Sequence, residues 1–140
     1  MNSLTIKRVL KATQQEVFDA WTNPDKMRMW LSPENLTVKD ATSENKVGGA
    51  YMVAMHDATK DQIHKATGVF KSFEEGKSFS ATWNWEGMNG ETLLSIDLKP
   101  VSDTQTEITL THSGFPVQEA ADEHEKGWES TLNNFEKHFK

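Results

Sequence analysis

Val17-Phe18-Asp19-Ala20-Trp21-Thr22-Asn23-Pro24, followed at Trp30-Leu31 by a second tryptophan, is the stretch on which the fold turns. Val17, Phe18 and Trp21 fall at i, i+1 and i+4, one apolar stripe of a short helix. Just ahead of them Thr13-Gln14-Gln15-Glu16 has the capping-box pattern, in which Thr13 and Glu16 satisfy each other's orphan amides. Asn23-Pro24 ends that helix and starts another, with Asn23 as N-cap and Pro24 in the first position. Met27, Trp30 and Leu31 line the inner face of the second helix.

Outward from this pair, Leu4 to Leu10 alternates as a first strand. From residue 36 to 113 the periodicity switches to two. Thr37-Val38-Lys39 and Ala50 to Met55 read as strands, with Gly48-Gly49 as the turn or bulge between them. Ile63 to Phe73 is a third, expected to be broken at Gly68, and Glu74-Glu75-Gly76-Lys77 is a hairpin loop. Phe79, Ala81, Trp83 and Trp85 alternate with polar residues in the clearest half-buried strand. Leu94, Ile96 and Leu98 form the next, with Asp97 facing solvent, and Ile108, Leu110 and His112 the last.

After Pro116, residues Ala121, His124, Trp128, Leu132, Phe135 and Phe139 repeat at three and four. Acids crowd the front of this segment and Lys137, His138 and Lys140 its back, as the helix dipole favours. Such a helix of ~22 residues would run ~33 Å, enough to cross a whole sheet. Gly127 costs it ~1 kcal/mol against alanine, which close approach to the sheet or a slight bend would justify. The expected fold is one α+β domain over 1–140: about six or seven antiparallel strands curved around the C-terminal helix.

Composition narrows the function classes. With 21 acids against 15 bases the net charge is −6, which argues against nucleic acid, where affinity comes mainly from phosphate neutralisation. There is no cysteine, so disulfides, thiol nucleophiles and thiolate metal sites are out together, as suits a reducing cytoplasm. Met1 to Arg8 has no apolar core of signal-peptide length, and no window approaches the ~20 apolar residues of a membrane span. A cytoplasmic monomer or small oligomer without membrane insertion is expected.

The ordered set of Val17 to Pro24, Trp30, Gly48-Gly49, Gly68, Thr82-Trp83, Thr111-His112-Ser113-Gly114 and His124-x-x-Gly127-Trp128-x3-Leu132 resembles homologues of the activator of heat-shock protein 90 ATPase. These are small START-related proteins of the helix-grip (SRPBCC) superfamily, and the resemblance covers essentially the whole chain. It implies a curved antiparallel sheet gripping the long helix, with a cavity between them. Related proteins bind lipids, sterols, polyketides or other apolar molecules there. A chaperone is an alternative partner that the family name implies, although this chain has no room for the co-chaperone's other domain.

On that fold, Trp30, Trp83, Trp85 and Trp128 are candidate walls for an apolar ligand, with indole N–H groups to orient its polar end. Their bland alternative is core packing between helix and sheet. His112, at the end of the Ile108/Leu110 strand face, and His124, one turn before Trp128, are candidate hydrogen-bonding groups in the same interior. The alternative is that each bonds a nearby backbone carbonyl or buried polar group. Tyr51 and Met55, on the strand Ala50 to Met55, complete the candidate ligand-binding set.

No catalytic residue, cofactor or metal is assigned. His56 and His64 have no ligand cluster around them, and there is no HExxH, cysteine pair or GxSxG elbow. A cyclase or hydrolase acting on apolar metabolites is a third reading; Asp57, Asp61 and Glu86 are placed near the rim, and His112 with His124 is its only candidate pair. Ser113 to Pro116 and Ser32 to Thr37 flank the expected mouth as candidate lids.

Overall fold

In the computed structural model, which describes residues 2–87 and 90–139, the first and second strands end up at opposite edges of one sheet. Strand β1 (Asn2–Leu10) leads into helices α1 (Gln14–Thr22) and α2 (Pro24–Trp30). Strands β2 (Thr37–Ser43), β3 (Ala50–Asp57), β4 (Gln62–Glu74), β5 (Ser78–Trp85), β6 (Thr92–Ser102) and β7 (Gln105–Phe115) follow, and helix α3 (Gln118–His138) closes the chain. The sheet is seven-stranded, in the order β1-β7-β6-β5-β4-β3-β2, with every neighbouring pair antiparallel. Helices α1 and α2 therefore carry the chain from one edge to the other.

The local chemistry sets this path. Thr13 accepts from the Glu16 amide while the Glu16 carboxylate accepts from the Thr13 amide, a complete capping box. Asn23 both ends α1 and caps α2 through Asp25 N–H, with Pro24 opening the second helix. The inner sheet face presents Leu4, Ile6 and Leu10 from β1, Phe79, Ala81 and Trp83 from β5, and Ile108 and Leu110 from β7, all buried. Burial of this size is the main favourable term in folding. Helix α3 lays Ala121, Trp128, Leu132 and Phe135 on it.

An aromatic cluster ties the three helices together. The Trp30 ring stacks on Phe135 with centroids 3.8 Å apart, and Trp21 packs edge-on to Trp30 at 4.8 Å and stacks on Trp128 at 6.1 Å. The Trp30 N–H donates to the Ala20 carbonyl, 2.8 Å.

The C-terminal half of α3 is also held by polar bonds. Arg8, inward on β1 between Ile6 and Leu10, donates to the carboxylates of Glu129 and Glu136 and to the Asn133 amide oxygen. Glu34 accepts from Asn133 and Lys137, and Asn134 donates to the Ser32 carbonyl.

Three sequence expectations are corrected. Strand β4 runs unbroken through Gly68, because that residue marks a close approach rather than an end. The Tyr51 side chain lies over Gly68 to donate to the Thr82 carbonyl at 2.5 Å, and a Cβ on Gly68 would sit 1.9 Å from that oxygen. Ser113, Gly114 and Phe115 belong to β7, with Phe115 buried, so they form no loop lid. Around Gly127 nothing lies within 4 Å of an added Cβ, so no close approach explains this glycine.

Candidate functional site

The space that Gly127 leaves open belongs to a cavity of about 420 Å³, where α3 crosses the ends of β3, β4 and β5. Its origin is a mismatch of side-chain size on α3. Trp128, Leu132 and Phe135 fill one side of the helix, but in the neighbouring stripe at i, i+4, i+8 Gly127 and Thr131 are short and Glu123 turns out to solvent. Opposite stand Met55 from β3, Ile63, His64 and Lys65 from β4, and Trp83, Trp85 and Glu86 at the end of β5. Pro33 and Leu36, between α2 and β2, close one side. The charged groups stand at the mouth: Glu86 and Glu123 are mostly exposed, and Lys65 is 3.7 Å from Glu86.

Among the proposed ligand-binding residues, the structure brings Met55, Trp83, Trp85, His124 and Trp128 to this cavity. Trp30, Tyr51 and His112 are not in its lining. Trp30 is packed between helices, Tyr51 lies over Gly68, and His112 is fully buried behind the wall. Glu86 lines the mouth, whereas Asp57 caps its own turn through Thr59, and Asp61, at φ 48°, contacts His56. Of the two candidate lids, only the segment after α2 contributes, through Pro33 and Leu36.

Two indole–imidazole pairs set the walls. The Trp85 N–H donates to His124 Nε2 at 3.0 Å, which fixes the proton of that ring on Nδ1, donating to the Ala120 carbonyl at 2.9 Å. The Trp128 N–H donates to His112 Nδ1 at 3.0 Å, so His112 Nε2–H donates to Thr92 Oγ1 at 2.6 Å, and Thr92 donates onward to the Trp83 carbonyl. Both nitrogens of each imidazole are thereby engaged, and each ring joins α3 to the sheet. A general base needs a free lone pair aimed at its substrate, and neither ring offers one. Trp83 is different: its Nε1 is the one buried side-chain polar atom among the described residues without a hydrogen-bond partner.

Burial, reinforced by the neighbouring His124, pushes His112 down to about 3. In the unfolded chain it titrates near the ordinary imidazole value of ~6.5. The folded state then binds fewer protons than the unfolded one between these values. His112 thus contributes stability above pH ~6.5 that is lost as pH falls toward about 3, with a limiting slope of ~1.4 kcal/mol per pH unit. Urea unfolding of the wild type and of His112→Gln between pH 7.5 and 4.5 isolates this effect, since the carboxylates are common to both. The stability gap between them is expected to narrow steadily on acidification. A constant gap would remove the burial account of His112.

Residues missed from the sequence are Ile63, His64, Lys65, Glu123 and Thr131 as lining. The Glu123-Gly127-Thr131 spacing was the available signal, a stripe of short or polar residues beside the apolar one on the same helix.

The sequence matches the model of the family described as Activator of Hsp90 ATPase homolog 1-like protein over residues 11–140. Among curated proteins none matches. A crystal structure of a Chromobacterium violaceum protein is similar at 22% identity with a TM-score of 0.87, covering 99% of this chain and 98% of that one. The AHSA1 protein of Silicibacter pomeroyi is similar at 21% identity and TM-score 0.85, over 96% of this chain and 95% of that chain. An AHSA1-like protein of Aeromonas hydrophila, solved by NMR, has 17% identity and TM-score 0.80, over 97% and 90%. At these identities the likeness establishes the shared fold. Among the described residues no helix is long and apolar enough to cross a membrane.

Proposed function

The chain belongs to the Activator of Hsp90 ATPase homolog 1-like family, and from that premise and the shape of its interior we propose that it binds a small apolar molecule between the sheet and α3 without transforming it. The observation that carries this reading is the cavity of about 420 Å³ walled by Met55, Trp83, Trp85 and Trp128. That volume falls within the ~300–1,000 Å³ of typical small-molecule sites, and its walls have the expected mix of apolar side chains with few polar groups. With Glu86 and Glu123 at the mouth, the interior surface is mainly Met55 and the indole rings, which favours an apolar ligand.

The cyclase or hydrolase reading is weaker, because its only candidate pair, His112 and His124, has every ring nitrogen committed to a protein partner. The adaptor reading rests on the family's description, whereas the cavity is a feature of this chain's own residues.

The test fills the cavity from the helix side. Gly127→Leu puts an isobutyl group into open space and removes a glycine from a helix interior, which favours the fold by ~1 kcal/mol before packing. Titration of the wild type with naphthalene should shift the indole N–H resonances of Trp85 and Trp128 in proton–nitrogen spectra. The Gly127→Leu protein, folded and at least as stable, is expected to bind at least about tenfold more weakly, a loss of ~1.4 kcal/mol. Equal affinity in the two proteins would put the binding elsewhere and remove the proposal.

A further inference from the structure

Trp85 stands in the cavity wall by a bond that only an imidazole with a free lone pair can make. Its indole N–H donates to His124 Nε2 at 3.0 Å, while His124 Nδ1–H donates to the Ala120 carbonyl at 2.9 Å. An indole nitrogen donates and never accepts, and a carbonyl accepts and never donates. The ring therefore has one arrangement that serves both partners, with its lone pair on Nε2. Both residues line the cavity and both are half-buried, unlike the buried Trp128–His112 pair beside them.

A second proton on His124 turns Nε2 into another donor, aimed at the indole N–H from 3.0 Å. Two donors at that distance repel, and the bond between α3 and the end of β5 is lost. The imidazole itself is held in place. Nδ1 stays on the Ala120 carbonyl one turn back in the same helix, and Phe115 of β7 packs on the ring at 4.7 Å. Trp85 is the member that gives way: it is the last residue of β5, and its side chain is only partly buried.

We propose that His124 is the positioning residue of the cavity, holding the Trp85 indole as a wall while Nε2 accepts, and releasing that wall and the ligand when the ring takes up a proton. This rests on the ligand-binding reading above and adds a proton-linked control to it. By linkage, a ligand that packs on Trp85 opposes protonation of His124 to the same extent.

Other titratable groups face this ring. His112 looks at it from β7 with ring centroids 5.2 Å apart, but burial pushes His112 down to about 3, so it stays uncharged at mild acidity. His64, Lys65 and Glu86 on the sheet side and Glu123 on α3 share the cavity lining with it.

Naphthalene serves as the probe, since it carries no charge of its own. It is titrated into the wild type from pH 7.5 to 5.0 while NMR follows the His124 ring protons and the Trp85 indole proton. The wild-type affinity is expected to fall in step with protonation of the His124 ring, by about tenfold, because only the unprotonated fraction keeps its wall. The Trp85 indole proton should move upfield, out of its hydrogen bond, over the same range. His124→Gln keeps an acceptor for the indole, takes no proton, and leaves His64, Lys65, Glu86 and Glu123 in place. Its affinity is expected to be the same at both ends of the range. Should that variant fail to fold, the wild-type affinity and the two sets of resonances decide the matter alone. A ring that takes no proton by pH 5.0, an affinity that does not follow it, or a pH response that survives in His124→Gln overturns this inference and leaves the cavity reading standing. Failure of the wild type to bind naphthalene at pH 7.5 overturns both.

Discussion

Gly68→Ala is expected to destabilise the protein by more than ~3 kcal/mol, while the same exchange at Gly127 stabilises it by up to ~1 kcal/mol. The added methyl at position 68 would lie 1.9 Å from the Thr82 backbone oxygen and 2.5 Å from the Tyr51 ring. A backbone oxygen in a paired strand cannot swing away as a side chain can. Either β4 and β5 part locally, or Tyr51 gives up its buried bond to Thr82, which adds about 1–3 kcal/mol to the strain. At position 127 the methyl meets nothing within 4 Å, and only helix propensity changes. Urea unfolding of the two variants beside the wild type reads both signs in one experiment. Similar midpoints for the two alanine variants would mean that Tyr51 does not lie over Gly68 as described.

Trp128→Ala is the second large effect. The Trp128 side chain is 5% exposed and packs against both Trp21 and Trp83, so truncation to alanine costs ~3–5 kcal/mol. It also strips His112 Nδ1 of its donor in a site with no exposure, a further ~1–3 kcal/mol unless water enters through the enlarged cavity. Double substitution with His112→Leu separates the parts. Once the unpaired imidazole is gone, the added cost of removing Trp128 should fall by about that second amount. Strict additivity of the two substitutions would show that the indole–imidazole bond does not couple α3 to the sheet.

What could be read from the sequence follows from the range of the interactions involved. The Thr13–Glu16 capping box, Asn23 before Pro24, and the alternation of Phe79, Ala81, Trp83 and Trp85 are local patterns, and each forms as expected. The stripe of α3 is likewise local, and its burial follows the spacing.

The positions that depend on distant partners were harder. Gly68 reads as a strand breaker until Tyr51 and Thr82, 17 residues before and 14 after it, are seen to converge on it. For His112 and His124 the sequence left open a ligand contact or a buried polar partner, and nothing in the chain names the partners, Trp128 and Trp85, the latter 39 residues from its histidine; His124 also lines the cavity. Arg8 was legible in principle: an arginine on the inward side of β1, between Ile6 and Leu10, demands carboxylates, and α3 supplies Glu129 and Glu136. The cavity itself is an absence of side chain, and a stripe of Glu123, Gly127 and Thr131 announces one only when large residues face it across the gap.

A crystal of the protein soaked with 2-iodonaphthalene would put the central claim to its most direct test, because the iodine marks its own position by anomalous scattering. A peak between Met55, Trp83 and Trp128, absent from crystals of Gly127→Leu, is the expected result. An interior filled by side chains, with iodine only on the outer surface, would contradict it.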